Sequence, residues 1–154
     1  MIAVQLLVMP LYAGDKVVNP PTNPVETEIR QLHQFFQDWY RGNLADADFQ
    51  RFAGVMGEDF EIILPDAAIL ARQRIIDAVR GQKGSDAQAE LWIDNVRVVH
   101  QDDAFIIATY EEWQGRAGQP ARGRLSTVVF RPDSDAPNGL VWLHVHETWL
   151  PADD

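Results

Sequence analysis

The sequence predicts an α+β domain on three observations: helical periodicity early in the chain, period-two alternation later, and a last strand that is largely apolar on both faces. Ile29, Leu32, Phe36 and Trp39 recur at helical spacing, with Val25 and Phe35 widening the stripe. From Glu90 onward the segments alternate instead, and turn residues divide them at 101–103, 115–121 and 132–139. This order implies three N-terminal helices packed on one face of a curved antiparallel sheet.

The chain has 154 residues and 46% apolar content, enough for one sizeable core. Acidic residues outnumber basic ones 23 to 13, for a net charge of −10, and no two Lys or Arg are adjacent. Nucleic acid and anionic membranes are therefore poor partners. The absence of cysteine excludes disulfides, thiolate nucleophiles and cysteine-ligated metals. Residues 1–22 are expected to form an extended arm and linker, and 23–154 the folded domain. Ile2–Val8 is apolar, which raises export as an alternative. It is short, interrupted by Gln5, stopped at Pro10 and preceded by no Lys or Arg, so a cytoplasmic location is expected. No stretch approaches the roughly 18 apolar residues of a membrane span.

The first helix begins with Asn23 as cap, Pro24 at the first helical position and Glu26 three residues after the cap, and it ends at Gly42. His33 lies beside its apolar stripe and reads as a packing histidine. Asn43 or Asp46 can cap a second helix that buries Phe49, Phe52, Ala53 and Met56 before Gly57. Phe60, Ile62 and Leu64 then mark a strand that breaks at Pro65-Asp66, and Ala68–Ala71 can return as a short hairpin. A third helix starts near Arg72, turns Ile75, Ile76 and Val79 inward, and stops at Gly81 before a polar loop at 81–88. Strands follow at 90–100, 104–114, 122–131 and 139–151, as an antiparallel meander.

In the last strand, GLVWLHVHETWLP, strict alternation puts Val141, Leu143, Val145, Glu147 and Trp149 on one face and Trp142, His144, His146, Thr148 and Leu150 on the other. The H-x-H spacing sets two imidazoles about 6.6–7 Å apart. A metal would need a third ligand, with Asp94 or His100 the candidates. No metal and no cofactor are expected.

The helix-helix-strand-helix-meander order resembles the NTF2-like superfamily, a cystatin-like cone. The resemblance rests on GRLSTVVFR at 123–131, Asn138-Gly139, VWLHVHETW at 141–149, and the helical patterns Phe35–Leu44 and PDAAILARQRIIDAV. It is nearest to DUF4440 and SnoaL-like small bacterial proteins and covers roughly residues 25–151. It implies a pocket between the concave sheet face and the helices, and a homodimer through the outer sheet face. The catalytic residues of ketosteroid isomerase do not carry over: Phe35 or Phe36 stands at its tyrosine register, and Leu64 or Asp66 at its aspartate.

Alternation could send Glu147 with Trp149, Arg124 with Ser126, and either Tyr110 with Glu112 or Thr109 with Glu111 into that pocket. The expected function is binding of a small, mainly apolar molecule, lined by Trp149, Ser126, Phe36, Trp39 and Tyr40. The alternatives are a cofactor-free isomerase, cyclase or dehydratase, and a protein-interaction or assembly module. For the enzyme, Glu147 is the base, His146 or Tyr110 the acid, and Arg124 the stabiliser of negative charge. Since His144 and His146 share a face that Glu147 does not, Glu147 is expected in the cone and the histidines at the outer interface.

Overall fold

The computed structural model describes residues 23–116 and 118–151. The expected arm at 1–22, and with it the question of export, lies outside the described residues. Helix α1 spans Pro24–Arg41. Asn23 Oδ1 accepts the Val25 amide at 2.9 Å, and Pro24 occupies a first-turn position that needs no amide partner. Gly42 closes the helix at φ 79°, a left-handed conformation that costs glycine nothing. Glu26, expected to reinforce the cap, pairs instead with Arg30 one turn on. The end of α1 also receives the 81–88 loop: the Gly84 and Asp86 amides each donate, at 3.0 Å, to the Trp39 and Tyr40 carbonyls.

A 3-10 turn, Asp46–Phe49, runs into the short helix α2, Gln50–Ala53. Neither Asn43 nor Asp46 caps it. The Ala45 amide donates to Asp48 Oδ2 at 2.8 Å, while Asp46 meets Lys83. The helix ends at Gly54, and Met56 and Gly57 already belong to strand β1, Met56–Ile63. Strand β2, Ile69–Ala71, pairs with β1 as the expected hairpin, and α3 spans Arg72–Arg80. The remaining strands are β3 (Glu90–Gln101), β4 (Ile106–Arg116), β5 (Gln119–Pro132) and β6 (Leu140–Trp149). Arg116 pairs with Gln119, so most of the expected 115–121 connection is strand. No described helix is long and apolar enough to cross a membrane.

The strands form one sheet in the order β2-β1-β6-β5-β4-β3. The meander from β3 to β6 is antiparallel as expected, but the sheet as a whole is mixed, because β1 lies parallel to β6. Alternation fixes which face a residue takes and carries no signature of a distant partner. The helices cover one face, and the core lies between them, built around Ile29, Leu32, Trp39, Phe52, Phe130 and Val128.

Irregularities in the ladders bend the sheet. In β3 the register shifts between Asp94 and Arg97, where Asn95 takes φ 52°. In β6 Leu143 is left over between the pairs Val129↔His144 and Phe130↔Trp142. That bulge resets the alternation, so Trp142 joins Val145 and Glu147 on the inner face rather than sharing a face with the histidines. Gly57 passes close to the same spot: a Cβ there would come within 3.1 Å of Leu143 Cδ2 and the Trp142 carbonyl.

Candidate functional site

Between α1 and the concave face lies a cavity of ≈120 Å³, walled by apolar side chains such as Phe60, Ile62, Leu64 and Val145. Its polar wall is assembled from α1, β4, β5 and β6. Tyr110 and Glu112 point inward from β4, Arg124 from β5 and Glu147 from β6, and α1 adds His33, Phe36 and Tyr40. On β4 the sequence left two parities open, and the inward one is Tyr110 with Glu112. Thr109 and Glu111 face outward.

Arg124 organises this wall. One terminal nitrogen donates to Glu147 Oε2 at 2.8 Å, and the other bonds Glu112 Oε1. Glu112 also takes a bond from Gln114 Nε2 at 2.7 Å and faces His33 Nε2 at 3.1 Å. The other ring nitrogen of His33 lies 2.7 Å from the Ile29 carbonyl, so the imidazole ties α1 to β4 with both nitrogens engaged. The side chains of Glu112 and Glu147 are only 6% and 5% exposed, which makes these pairings strong constraints rather than surface contacts. Arg124 Nε and Ser126 Oγ are buried without a hydrogen-bond partner among the described residues.

The two carboxylates respond oppositely to this setting. Burial pushes Glu147 up to about 7, against the pull of Arg124 and with the help of Glu112. Burial also acts upward on Glu112, but His33, Arg124 and Gln114 outweigh it and hold that group below the usual carboxylate range. Arg124 is raised: burial opposes its charge, and Glu112 and Glu147 more than compensate. Burial lifts Tyr40 to about 12 and takes Tyr110 well above its ordinary value, with Glu112 adding to both. The Glu147 carboxyl is therefore placed to exchange a proton near neutral pH.

This has a consequence for stability. Between the unfolded value of about 4.3 and about 7, folded Glu147 keeps a proton that the unfolded chain has released. Its contribution is complete below that window and is lost as pH rises through about 7. Glu112 has the opposite sign, stabilising above the ordinary carboxylate value and less so on acidification. In Glu147→Gln the first dependence disappears. Urea denaturation from pH 5 to 8 is expected to show the variant gaining on the wild type by on the order of 2 kcal/mol as pH rises. A difference that stays flat across that range would contradict the assignment.

Of the expected site residues, Glu147, Arg124, Tyr110, Phe36 and Tyr40 meet at the cavity, and four do not. His146 is exposed on the outer face of β6, opposite Glu147, and cannot serve as its partner acid. Trp149 is 39% exposed beyond the cavity, with the Arg122 guanidinium 3.3 Å from its ring centre. Trp39 is a core residue: it stacks on Phe35, and its indole donates to the Val79 carbonyl at 2.8 Å. Ser126 is fully buried on β5 opposite Tyr110 and does not line the space. The candidate third metal ligands, Asp94 and His100, sit on β3, three strands from β6. Among the described residues no group of three or more His, Cys, Asp or Glu could hold a metal.

His33 is a packed, buried histidine as expected and also lines the cavity, and Glu112 joins it there. A signal for His33 was present, since Ile29, His33, Phe36 and Tyr40 form a second stripe at helical spacing beside the core one. For Glu112 only the unresolved parity of β4 stood in the way.

Solved structures share this architecture. An NTF2-like protein of unknown function from Pseudomonas aeruginosa superposes with a TM-score of 0.76 at 24% identity, covering 83% of this chain and 99% of that one. The cone expected from the sequence is thus the fold. Among curated proteins, sucrose-phosphatase 2 of Nicotiana tabacum is 23% identical over 129 residues, and sucrose-phosphatase 1 of the same plant 23% over 128. Each match takes in 80% of this chain and 30% of the relative, so the chain spans under a third of their length. The profile of the family described as sucrose-6-phosphate phosphohydrolase C-terminal matches residues 25–151, nearly the whole described cone. Within the NTF2-like fold, then, the chain belongs to the sucrose-6-phosphate phosphohydrolase C-terminal family.

Proposed function

We propose that this chain binds a small, mainly apolar molecule in the cone. The observation that carries the reading is an apolar cavity with its polar groups gathered on one wall, at Arg124, Glu147, Glu112 and His33. A mainly apolar lining with few convergent polar groups is the usual form of a small-molecule site. Phosphate-ester hydrolysis, suggested by the names of the tobacco relatives, is not part of the proposal. A phosphate ester would bring negative charge to a guanidinium whose terminal nitrogens already serve two carboxylates. The test is thermal melting of the full chain against a panel of small apolar compounds. A ligand at a hundred times its dissociation constant adds about 2.7 kcal/mol of stability. Absence of any shift, or equal shifts in the cavity-filling variants Ile62→Phe and Leu64→Phe, would remove the reading.

A second reading, acid–base catalysis without a cofactor, is favoured by one observation: a carboxyl near neutral pKa on the wall beside Arg124 and Tyr110. It predicts deuterium uptake from solvent into an enolisable ketone such as cyclohexanone, faster with wild type than with Glu147→Gln. Equal rates would exclude it.

The proposal includes pairing of two copies through the outer sheet face. Supporting it are exposed Leu125 and half-buried Thr109, Thr127, Val129 and His144 on that face. A monomer mass by native mass spectrometry at micromolar protein would sink this part.

A further inference from the structure

Resting on the reading of the cone as a binding site, we infer that its ligand is an uncharged molecule the size of a single ring, carrying one hydroxyl that meets the Glu147 carboxyl. Size comes first. At ≈120 Å³ the cavity is of the same order as an engineered, apolar-lined space of about 150 Å³ that accepts benzene, so its volume suits about one ring, with any substituent directed to the polar wall or the mouth.

Charge comes next. The terminal nitrogens of Arg124 are directed at Glu147 and Glu112, and the ring nitrogen of His33 that faces this wall is directed at Glu112. An anionic ligand would therefore meet two buried carboxylates, with both terminal nitrogens of the guanidinium already committed to them. To gain Arg124 it would have to break the 2.8 Å bond to Glu147 and leave that side chain buried without its partner. A hydroxyl requires no such exchange. It donates to Glu147 when that group is ionised and accepts from it when it is protonated.

Orientation follows from the distribution of groups. Arg124, Glu147, Glu112 and Tyr110 stand together, while Phe60, Ile62 and Leu64 supply apolar wall. The hydroxyl faces the first set and the ring packs on the second.

Isothermal titration of the full chain at pH 8 with toluene, 4-methylphenol and 4-methylbenzoate tests this. The three probes share a ring and a methyl group and differ only in the polar substituent. The expected order is 4-methylphenol first, tighter than toluene by about five- to tenfold for one added hydrogen bond. 4-Methylbenzoate is expected to be weaker than 4-methylphenol by at least about tenfold. In Glu147→Leu, shown folded by its melting transition, the preference for 4-methylphenol over toluene falls to near unity, and Glu147→Gln retains it. The inference is overturned if 4-methylbenzoate binds as well as 4-methylphenol, or if toluene equals 4-methylphenol in the wild type, with cone binding itself left standing. If neither toluene nor 4-methylphenol binds, or if Ile62→Phe and Leu64→Phe bind them unchanged, the cone is not their site and both readings fall.

Discussion

Arg124→Met is expected to cost about 3–5 kcal/mol of folding free energy at pH 8, because it leaves two buried carboxylates facing one another without their shared cation. The guanidinium side chain is 17% exposed, and its partners Glu112 and Glu147 are 6% and 5% exposed, so water replaces little of what is lost. The loss should shrink toward pH 5, where Glu147 takes up a proton and its repulsion with Glu112 fades. Urea denaturation at the two pH values measures both effects. A cost below about 1 kcal/mol at pH 8 would place this network in the class of solvated surface pairs. Charge removal also separates the network from simple packing: Arg124→Met with Glu112→Gln and Glu147→Leu should recover part of the stability lost by the single change, since no buried ion is left unpaired and the amide carbonyl introduced at position 112 still accepts from His33 or Gln114.

The second large effect is expected at Glu28, which takes no part in the cavity. Its side chain is fully buried and accepts Arg51 Nη1 at 3.2 Å, Arg51 Nη2 at 2.7 Å, Asn138 Nδ2 at 2.7 Å and Trp142 Nε1 at 2.9 Å. One carboxylate thus fastens α1 to α2, to the 133–139 loop and to the start of β6. Asn138 holds φ 55° to reach it, a left-handed conformation that asparagine tolerates better than most residues. Glu28→Ala should cost about 3 kcal/mol or more, because the Trp142 indole N–H and the inner guanidinium nitrogens lose their acceptor in a dry setting. Glu28→Gln should rescue little, since its amide presents a donor to a ring of donors. Trp142→Phe alone removes one hydrogen bond and part of an aromatic contact with Phe130. In a double-mutant cycle Glu28→Ala and Trp142→Phe should couple by at least about 0.5 kcal/mol, and additivity within that margin would disprove the link.

Local chemistry was readable where local chemistry decides. Asn23, Pro24 and Gly42 bound α1 because each satisfies or removes a backbone group at a helix end, an effect confined to a few residues. The short β1–β2 return was legible for the same reason, with Pro65-Asp66 breaking the strand. The second helix was misread at both ends, since Met56 and Gly57 are apolar or small and suit a buried strand as well as a helix terminus. At the site, period-two reasoning put Glu147 on one face of the last strand and the histidines on the other, and the structure has that separation. The same reasoning put Trp142 on the wrong side, because one extra residue at Leu143 shifts everything before it by a face. His33 was discounted because a lone histidine beside a helix stripe has no partner in its own sequence neighbourhood. Its partner Glu112 is supplied by a strand 79 positions away.

The parallel seam between β1 and β6 bears on how the chain acquires its shape during synthesis. β6 is the last described strand to be made, yet it sits inside the sheet, between β1 and β5. The β1–β2 hairpin with α1 and α3 leaves the ribosome first, and the β3–β5 meander follows, but in the finished sheet no strand of one half pairs with a strand of the other. Val145 and its neighbours supply that edge to Ile62 on one side and Val128 on the other. Pairings so distant in sequence make folding slow and leave strand edges open in the interim. Until β6 emerges the nascent chain therefore keeps the facing edges of β1 and β5 open, and closure of the sheet waits for the last described strand.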